Sequence, residues 1–285
     1  MRFRTAMHEA LYGPAGFFVR ARPASHFLTS AQSPLFARAL ARLIGELDEQ
    51  LGRPDPFDVV DVGAGGGELL ANLQPLLPGR ARLRPVEIGD HIPDGIVGLL
   101  LATEWLDNVP LDLAQDGRYL HDGEPVSAPD AEWIQRWWPN PEGTVEIGRE
   151  RDKAWAKAVS HLNRGLALTV DYGHFLGTRP SAPTLAGFRD GREVEPLLDG
   201  STDLTCHVAI DSAAAATGLP WTVLTQREAL HWLGVNGTRP PLELAYHDPA
   251  GYLRALAEAS EAATLTDPNG LGGHWWLLHP LGCAL

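Results

Sequence analysis

Gly63, Gly65 and Gly67 alternate in the stretch Phe57-Asp-Val-Val-Asp-Val-Gly-Ala-Gly-Gly-Gly-Glu-Leu-Leu70, where an apolar strand breaks into a glycine turn and then an apolar helix. Residues without a Cβ adopt positive φ at no steric cost and let a ligand approach the backbone. The amides that open the following helix favour a negative group. This is the pattern of a nucleotide-type binding turn.

The spacing narrows the ligand. A dinucleotide fingerprint places its third glycine where this chain has Glu68, and it needs that glycine for close helix packing around a pyrophosphate. Glu68 therefore speaks against a pyrophosphate and against a nicotinamide dehydrogenase. Gly-x-Gly-x-Gly after Asp61-Val62 suits S-adenosylmethionine, which offers a carboxylate, an amine, a ribose and an adenine. A strand-to-helix turn with no ligand is the alternative reading. A ribose-binding acid belongs at the end of the next strand, roughly 20 residues on, and Glu87 is the candidate by spacing.

The elements that must position these residues follow from hydrophobic period and turn signals. The first 33 residues read as irregular. Ser33-Pro34 then opens a helix carrying Leu35, Phe36, Ala39, Leu40, Leu43, Ile44, Leu47 and Leu51, which Gly52-Arg53-Pro54 ends. A strand at 58–62, the glycine turn and a helix from Glu68 come next, followed by strands at 82–88 and 96–103. Too few residues separate those two strands to hold a helix, a strand and a helix, so the usual doubly wound sheet is shortened at this edge. Residues 111–148 read as strands and loops with Trp133, Trp137 and Trp138 half-buried, and 149–164 as a helix. A strand at 165–170 runs into Asp171-Tyr-Gly-His174; then come a helix at 209–216, a strand at 221–225, helices at 227–233 and 249–263, and a closing strand at 274–279. The expected fold class is α/β: a Rossmann-like, mostly parallel doubly wound sheet with a helical insertion. As one domain, it divides into an N-terminal segment and helix at 1–52, a core at 53–225, the insertion at 226–270 and the closing strand at 271–285.

Composition bounds the function. The 285 residues are 44% hydrophobic, enough for a substantial core, and carry a net charge of -13 from 23 basic and 36 acidic residues. That balance opposes nucleic acid or an anionic membrane as default partner and welcomes a cationic substrate. Cys206 and Cys283 are far apart with no secretory leader, which suggests reduced thiols and a cytoplasmic protein. No apolar run approaches the ~20 residues needed to cross a bilayer. The eleven histidines include no His-x-x-x-His pair and there is no Cys-x-x-Cys, so no metal is expected.

Taken in order, several motifs resemble the MidA-like group of class I methyltransferases, which includes the mitochondrial complex I assembly-factor methyltransferase and many bacterial relatives. They are Met7-His-Glu-Ala-Leu-Tyr-Gly-Pro-Ala-Gly-Phe-Phe18, His26-Phe-Leu-Thr-Ser30 with Ser33-Pro-Leu-Phe36, Asp61-Val-Gly-Ala-Gly-Gly-Gly67 and Ala102-Thr-Glu-Trp-Leu-Asp-Asn-Val-Pro110. Further ones are Asp171-Tyr-Gly-His174, Gly187-Phe-Arg189, Asp203-Leu-Thr205 with His207-Val208, and Thr225-Gln226. Two departures stand out: Ala31-Gln32 replaces the family's proline-glutamate after the Thr-Ser step, and the segment after the second strand is short. The resemblance implies S-adenosylmethionine as cofactor and, for the best-known relatives, methylation of a protein arginine. It implies a cofactor site of Thr29, Ser30, Gly63, Ala64, Gly65, Gly67, Glu87, Glu104 and Trp105, with Glu104, Asp171 and His174 as catalytic candidates.

Methyl transfer from a sulfonium asks the protein mainly to align nucleophile, methyl and sulfur. Glu104 is suited to hold a guanidinium bidentately or to contact the cofactor amine, or else caps the helix after it. Asp107 caps or braces the same loop. Asp171 and His174 have the types for an acid-base pair, or for a strand-end turn stitched by side chains. Thr29 and Ser30 either close over the cofactor or lead into the helix at Pro34. The acceptor is a cationic protein or a small molecule; a noncatalytic assembly protein keeping the fold is the reading of another class. Oligomeric state is silent in the sequence.

Overall fold

The computed structural model describes residues 1–20, 29–139 and 141–284; His26, Phe27 and Leu28 of the expected N-terminal motif lie outside the described residues. The chain forms two compact units. One comprises Thr29–Thr103, Leu162–Val170 and Thr222–Leu285, the other Met1–Leu28, Glu104–His161 and Asp171–Trp221.

The first unit is built on a six-stranded sheet. Its strands are β1 (Phe57–Val62), β2 (Ala81–Val86), β3 (Ile96–Thr103), β4 (Leu162–Asp171), β5 (Thr222–Thr225) and β6 (Trp275–Leu281). The order across the sheet is β5-β6-β4-β3-β1-β2. β1 pairs in parallel with β2 from Phe57↔Ala81 to Val62↔Val86, and with β3 from Asp58↔Gly98 to Asp61↔Leu101. β3 is parallel to β4, and β5 is antiparallel to β6. The central strands read as continuous apolar runs because they are covered on both faces; seven of the eight residues of β3 are buried. Gly98 and Gly165 are register partners in β3 and β4, and their backbones nearly touch: a Cβ built on Gly165 would lie 1.9 Å from the Gly98 carbonyl oxygen.

Helix Pro34–Gln50 covers one face. Ser33 caps it, its hydroxyl accepting from the Phe36 amide at 3.1 Å, and Pro34 supplies the fixed φ of a first helical residue. Leu40, Leu43, Ile44 and Leu47 pack with Val59, Leu99, Leu101, Leu166 and Leu168 in one core, and Phe36 meets Trp276 edge-on at 5.8 Å. The expected shortening is present: residues 87–95 lead from β2 directly to β3 on the far side of β1, and among the described residues no strand flanks β2 on its outer side. Helices Gln226–Trp232, Leu242–His247 and Pro249–Leu265 follow β5.

The second unit holds two three-stranded sheets. One joins Arg118–Tyr119, Asp112–Gln115 and Val145–Ile147; the other joins Arg192–Val194, Ala186–Arg189 and Asp203–Thr205. Gly173–His174 pairs in parallel with Val208–Ala209.

Three readings of local structure change. The first residues are not irregular: Phe3–Tyr12 is helical, and Phe3, Met7, Ala10 and Leu11 bury a stripe against Leu111, Leu113, Leu204 and Cys206. Within 111–148, Ala128–Trp137 is a helix with Pro129 in its first turn, and Trp133 and Trp138 are fully in the core rather than half-buried. The helix from Arg149 stops at Val159, because β4 already begins at Leu162. Among the described residues no helix is long and apolar enough to cross a membrane.

Candidate functional site

The glycine turn grows out of β1. Gly63 donates to the Val86 carbonyl at 2.8 Å, continuing the β1 to β2 pairing by one residue, and Gly63, Gly65 and Gly67 all have positive φ, at 75°, 59° and 78°. Gly67 is the left-handed residue that starts helix Glu68–Leu73. A Cβ built on Gly65 meets nothing within 4 Å, so the turn is open and unplugged. Ala64 is buried beside it.

Glu87 stands directly after β2, and its Oε1 accepts the Gly65 amide at 2.5 Å. The register of β2 on β1 makes β2 the second strand of the sheet, so the acid arrives at the turn and not elsewhere on the surface. Its pKa is raised by partial desolvation and then by Asp90, with the Gly65 amide opposing.

Beneath the turn lies Asp61, 1% exposed, with its Oδ1 unpartnered. Its pKa is pushed up to about 8, first by burial and then by the like charges of Glu87 and Glu68. Three carboxyl groups thus surround a bare turn whose helix runs only six residues. Such a lining repels phosphate and suits a ligand with hydroxyls and a positive charge. Among the described residues no group of three or more His, Cys, Asp and Glu side chains is arranged to hold a metal ion. Ser30 is fully buried, and its hydroxyl exchanges hydrogen bonds with the Gln226 side chain at 3.1 and 3.0 Å. Thr29, half-buried, precedes the short 3-10 turn Ser30–Gln32.

The second unit carries the other candidates. Glu104 follows β3 with φ 50°, a left-handed conformation that costs a non-glycine residue energy and is held at few sites without reason. Trp105, partly exposed, precedes the 3-10 turn Leu106–Asn108. Asp171, the last residue of β4, is fully buried, and its Oδ2 accepts the amides of Leu106 and Asp107 at 2.9 and 3.2 Å. Tyr172 donates its hydroxyl to Asp107 at 2.5 Å, while Asp107 Oδ1 is buried without a partner. Asn108 donates to Asp203 at 2.9 Å. Burial raises the pKa values of Asp107, Asp171 and Asp203, and their mutual repulsion adds to the rise in Asp171 and Asp203.

Arg151 is the cation set against these acids, and it touches none of their carboxylates. It is 1% exposed and donates to the carbonyls of Val109, Cys206, His207 and Asp107 at 3.0, 2.9, 3.0 and 2.5 Å. One guanidinium therefore staples the 104–110 loop to the 203–208 segment.

The structure does not join Asp171 to His174. The His174 Nδ1 meets Arg179 Nη1 at 2.7 Å, and since a guanidinium only donates, the ring is neutral with its proton on Nε2. Nε2 is buried and has no partner. Burial, then Arg179, pushes the His174 pKa down to about 3. In this arrangement the ring's lone pair is taken by Arg179 and its N–H is on the far nitrogen. Trp138 packs edge-on against it at 5.2 Å. On its own side Trp138 also lines an apolar cavity of about 330 Å³ with Ala114, Val126, Ile134, Pro139 and Val145.

Sequence reasoning passed over Asp61, Arg151 and Arg179 as functional groups. Asp61 had a readable signal, a charge at an inward position of an apolar strand. Arg151 had none, since Arg-Glu-Arg-Asp-Lys reads as a solvated helix face.

Residues 116–224 match the family described as "Putative S-adenosyl-L-methionine-dependent methyltransferase". Two crystal structures of COG1565 superfamily proteins from Burkholderia thailandensis superpose over 100% of this chain at 20% identity. One, bound to S-adenosyl-homocysteine, gives a TM-score of 0.75 with 89% of its own chain covered, and the other, a native structure, 0.76 with 88% covered. Among curated proteins no sequence matches at a significant level. The likeness bears out the expected Rossmann-like class I fold.

Proposed function

We infer that this chain is an S-adenosylmethionine-dependent methyltransferase of the MidA-like group, with the cofactor seated on the Gly63 to Gly67 turn and a protein arginine side chain as methyl acceptor. The observation that carries the reading is the hydrogen bond from the Gly65 amide to Glu87 at 2.5 Å. Strand pairing delivers a carboxylate to the mouth of an open glycine turn, where the hydroxyls of a ribose can take the place of the amide as donors.

The residues fit the cofactor on two further counts. Nothing lies within 4 Å of a Cβ at Gly65, which leaves the backbone approachable, and the buried, unpartnered Asp61 Oδ1 offers an acceptor to a positive group. When bound, the cofactor supplies an electrophilic methyl on a sulfonium, so the protein's task is alignment and charge. Glu87 orients the sugar end, and Glu68 holds a negative field at the turn.

In the second unit, four carboxylates, Glu104, Asp107, Asp171 and Asp203, stand against Arg151, whose donors are spent on carbonyls. Carboxyl oxygens in that number, those of Glu104 at the end of β3 among them, supply the acceptors that a guanidinium needs. Asp171 braces the 106–108 turn, and Glu104, in its strained conformation, is the group we assign to the acceptor. His174 presents an N–H and takes no proton. A small-molecule acceptor is the second reading, and the 330 Å³ apolar cavity beside Trp138 favours it, being large enough for a compact ligand. The free thiols of Cys206 and Cys283 support a cytoplasmic setting.

The deciding experiment incubates the full chain with methyl-labelled cofactor and a cell lysate, then reads the label by mass spectrometry. Label on arginine side chains supports the proposal. Label confined to small molecules transfers it to the second reading. No label, with no S-adenosylhomocysteine binding at millimolar ligand, leaves a noncatalytic protein.

A further inference from the structure

We propose that the apolar cavity lined by Trp138 binds a compact organic cation, an ammonium carried on an aromatic body, at a place apart from the methyl acceptor. The occupant is a second ligand of the protein, not the substrate of methyl transfer.

The cavity lies wholly within the second unit, between the hairpin of Asp112–Gln115 with Arg118–Tyr119 and helix Ala128–Trp137. Val126, Ile134, Trp138 and Val145 form its apolar wall, and its volume of about 330 Å³ falls at the lower end of the range of small-molecule pockets. The wall is held in place from behind. The Trp138 amide donates to the Ile134 carbonyl at 2.8 Å, Arg179 donates to the Trp137 carbonyl at 2.7 Å, and the Trp138 indole stands edge-on to His174 at 5.2 Å. A ligand that fills such a preformed cavity gains contacts along its whole wall at little ordering cost.

Charge selects the head group. Gln115, Asp116 and Gln135 also line the cavity and are exposed, and among the described residues their side chains make no hydrogen bond or ion pair. The neighbouring cations are engaged: Arg118 donates to the Gly123 carbonyl at 2.8 Å, and Arg136 lies over the Trp137 ring at 4.8 Å. Asp116 and Gly117, with φ of 50° and 74°, are the two left-handed residues of a two-residue hairpin turn. An Asn-Gly pair serves such a turn equally well, so the aspartate adds a charge that the turn does not need. One carboxylate with two carboxamides at the rim of an apolar cavity accepts from an ammonium and repels an anion.

The acceptor candidates are elsewhere in this unit. Glu104, Asp107, Asp171, Tyr172 and His174 do not line the cavity. From Trp138 the rings follow in the order His174, His207, Tyr172, with centroids 5.2, 6.4 and 5.2 Å apart, and Asp107 comes only after Tyr172. Among the described residues Asp116 is the one ionisable side chain of the lining, and it is exposed, so no sheltered group there takes a proton from a nucleophile.

Calorimetric titration of the full chain with three probes of similar shape tests this: phenethylamine, phenethyl alcohol and hydrocinnamate. We expect phenethylamine to bind wild type with a Kd of about 1 mM or tighter. The alcohol should bind about three- to fivefold more weakly and the carboxylate more weakly still. Asp116→Asn, which keeps the turn, should erase the preference for amine over alcohol and leave the alcohol's affinity unchanged. Ala131→Phe, at an exposed helix position that lines the cavity, should abolish binding of all three. In NMR titration of wild type, the indole N–H signal that is lost in Trp138→Phe should shift with the same Kd. Equal affinity for the three probes, or an amine preference that survives Asp116→Asn, overturns the cation. Binding untouched by Ala131→Phe, an unmoved Trp138 signal, or no binding at about ten times that concentration overturns the site. Label passing from methyl-labelled S-adenosylmethionine to the amine overturns its separation from the acceptor. The binding readouts need no cofactor, so their failure is distinct from failure of the proposed activity.

Discussion

Glu87 reaches back 22 residues to accept the amide of Gly65, and this contact ties the end of the second strand to the middle of the glycine turn. Its exposure makes it a hydrogen bond with room for replacement, since a ligand donor at the turn competes for the same oxygen. Glu87→Ala is expected to weaken S-adenosylhomocysteine binding by about ten- to a hundredfold, the range for hydrogen bonds to a charged group, with little change in melting temperature. Calorimetric titration measures it; wild-type affinity in the variant would remove Glu87 from the site.

Gly65→Val places a branched side chain on a residue with φ 59° whose surroundings are empty. The cost is backbone strain and loss of the ligand's approach, not a clash within the fold. We expect a modest fall in melting temperature and loss of detectable cofactor binding, read by thermal shift with and without S-adenosylhomocysteine.

Tyr172→Phe removes the hydroxyl that donates to the buried carboxylate of Asp107. An unsatisfied buried acceptor costs about 1–3 kcal/mol, so the melting temperature should fall by several degrees at neutral pH. Burial raises the Asp107 pKa, and protonation relieves the loss, so the deficit should shrink toward acid pH. Melting curves for the two proteins across pH 5 to 8 supply the comparison.

Arg179→Met releases His174 Nδ1 and removes the charge that opposes its protonation. In wild type the ring should show no titration between about pH 5 and 8 in imidazole nitrogen NMR, with the proton on Nε2. In the variant its pKa should rise toward the ordinary value. The depressed pKa also sets a sign for stability. His174 contributes fully above about pH 6.5, and its contribution is lost as pH falls toward 3, so His174→Gln should flatten the acid limb of the stability curve.

Arg151→Met leaves four carbonyls without their donor and the surrounding acids without their cation. Breaking a buried charge network in this way costs about 3–5 kcal/mol. Urea unfolding should show it as a lower midpoint; a midpoint equal to wild type would mean that the staple carries no weight.

The strands at 57–62, 96–103 and 162–171 were legible because central parallel strands are apolar along their whole length, and the glycine turn because its neighbours switch period from two to 3.6. Helix Phe3–Tyr12 was hidden by the turn residues Gly13-Pro14 and Gly16 just beyond it, although Phe3, Met7, Ala10 and Leu11 keep helical spacing. Helix Ala128–Trp137 was hidden by its proline, which a helix accepts in its first turn. Residue types named Asp171 and His174 as partners. Their separate employment, one on the 106–108 turn and one on Arg179, depends on the 171–179 backbone path, which no spacing rule encodes. Arg151 differs from an ordinary charged residue only in what covers it, and cover is a tertiary property.

The shortened edge leaves β2 with an open row of backbone donors and acceptors, the usual starting point for sheet-to-sheet aggregation. Its sequence, Ala-Arg-Leu-Arg-Pro-Val, answers that hazard: it carries two arginines, and Pro85 interrupts it with a residue that has no amide hydrogen. The chain has given up an outer strand and kept its border closed to recruits.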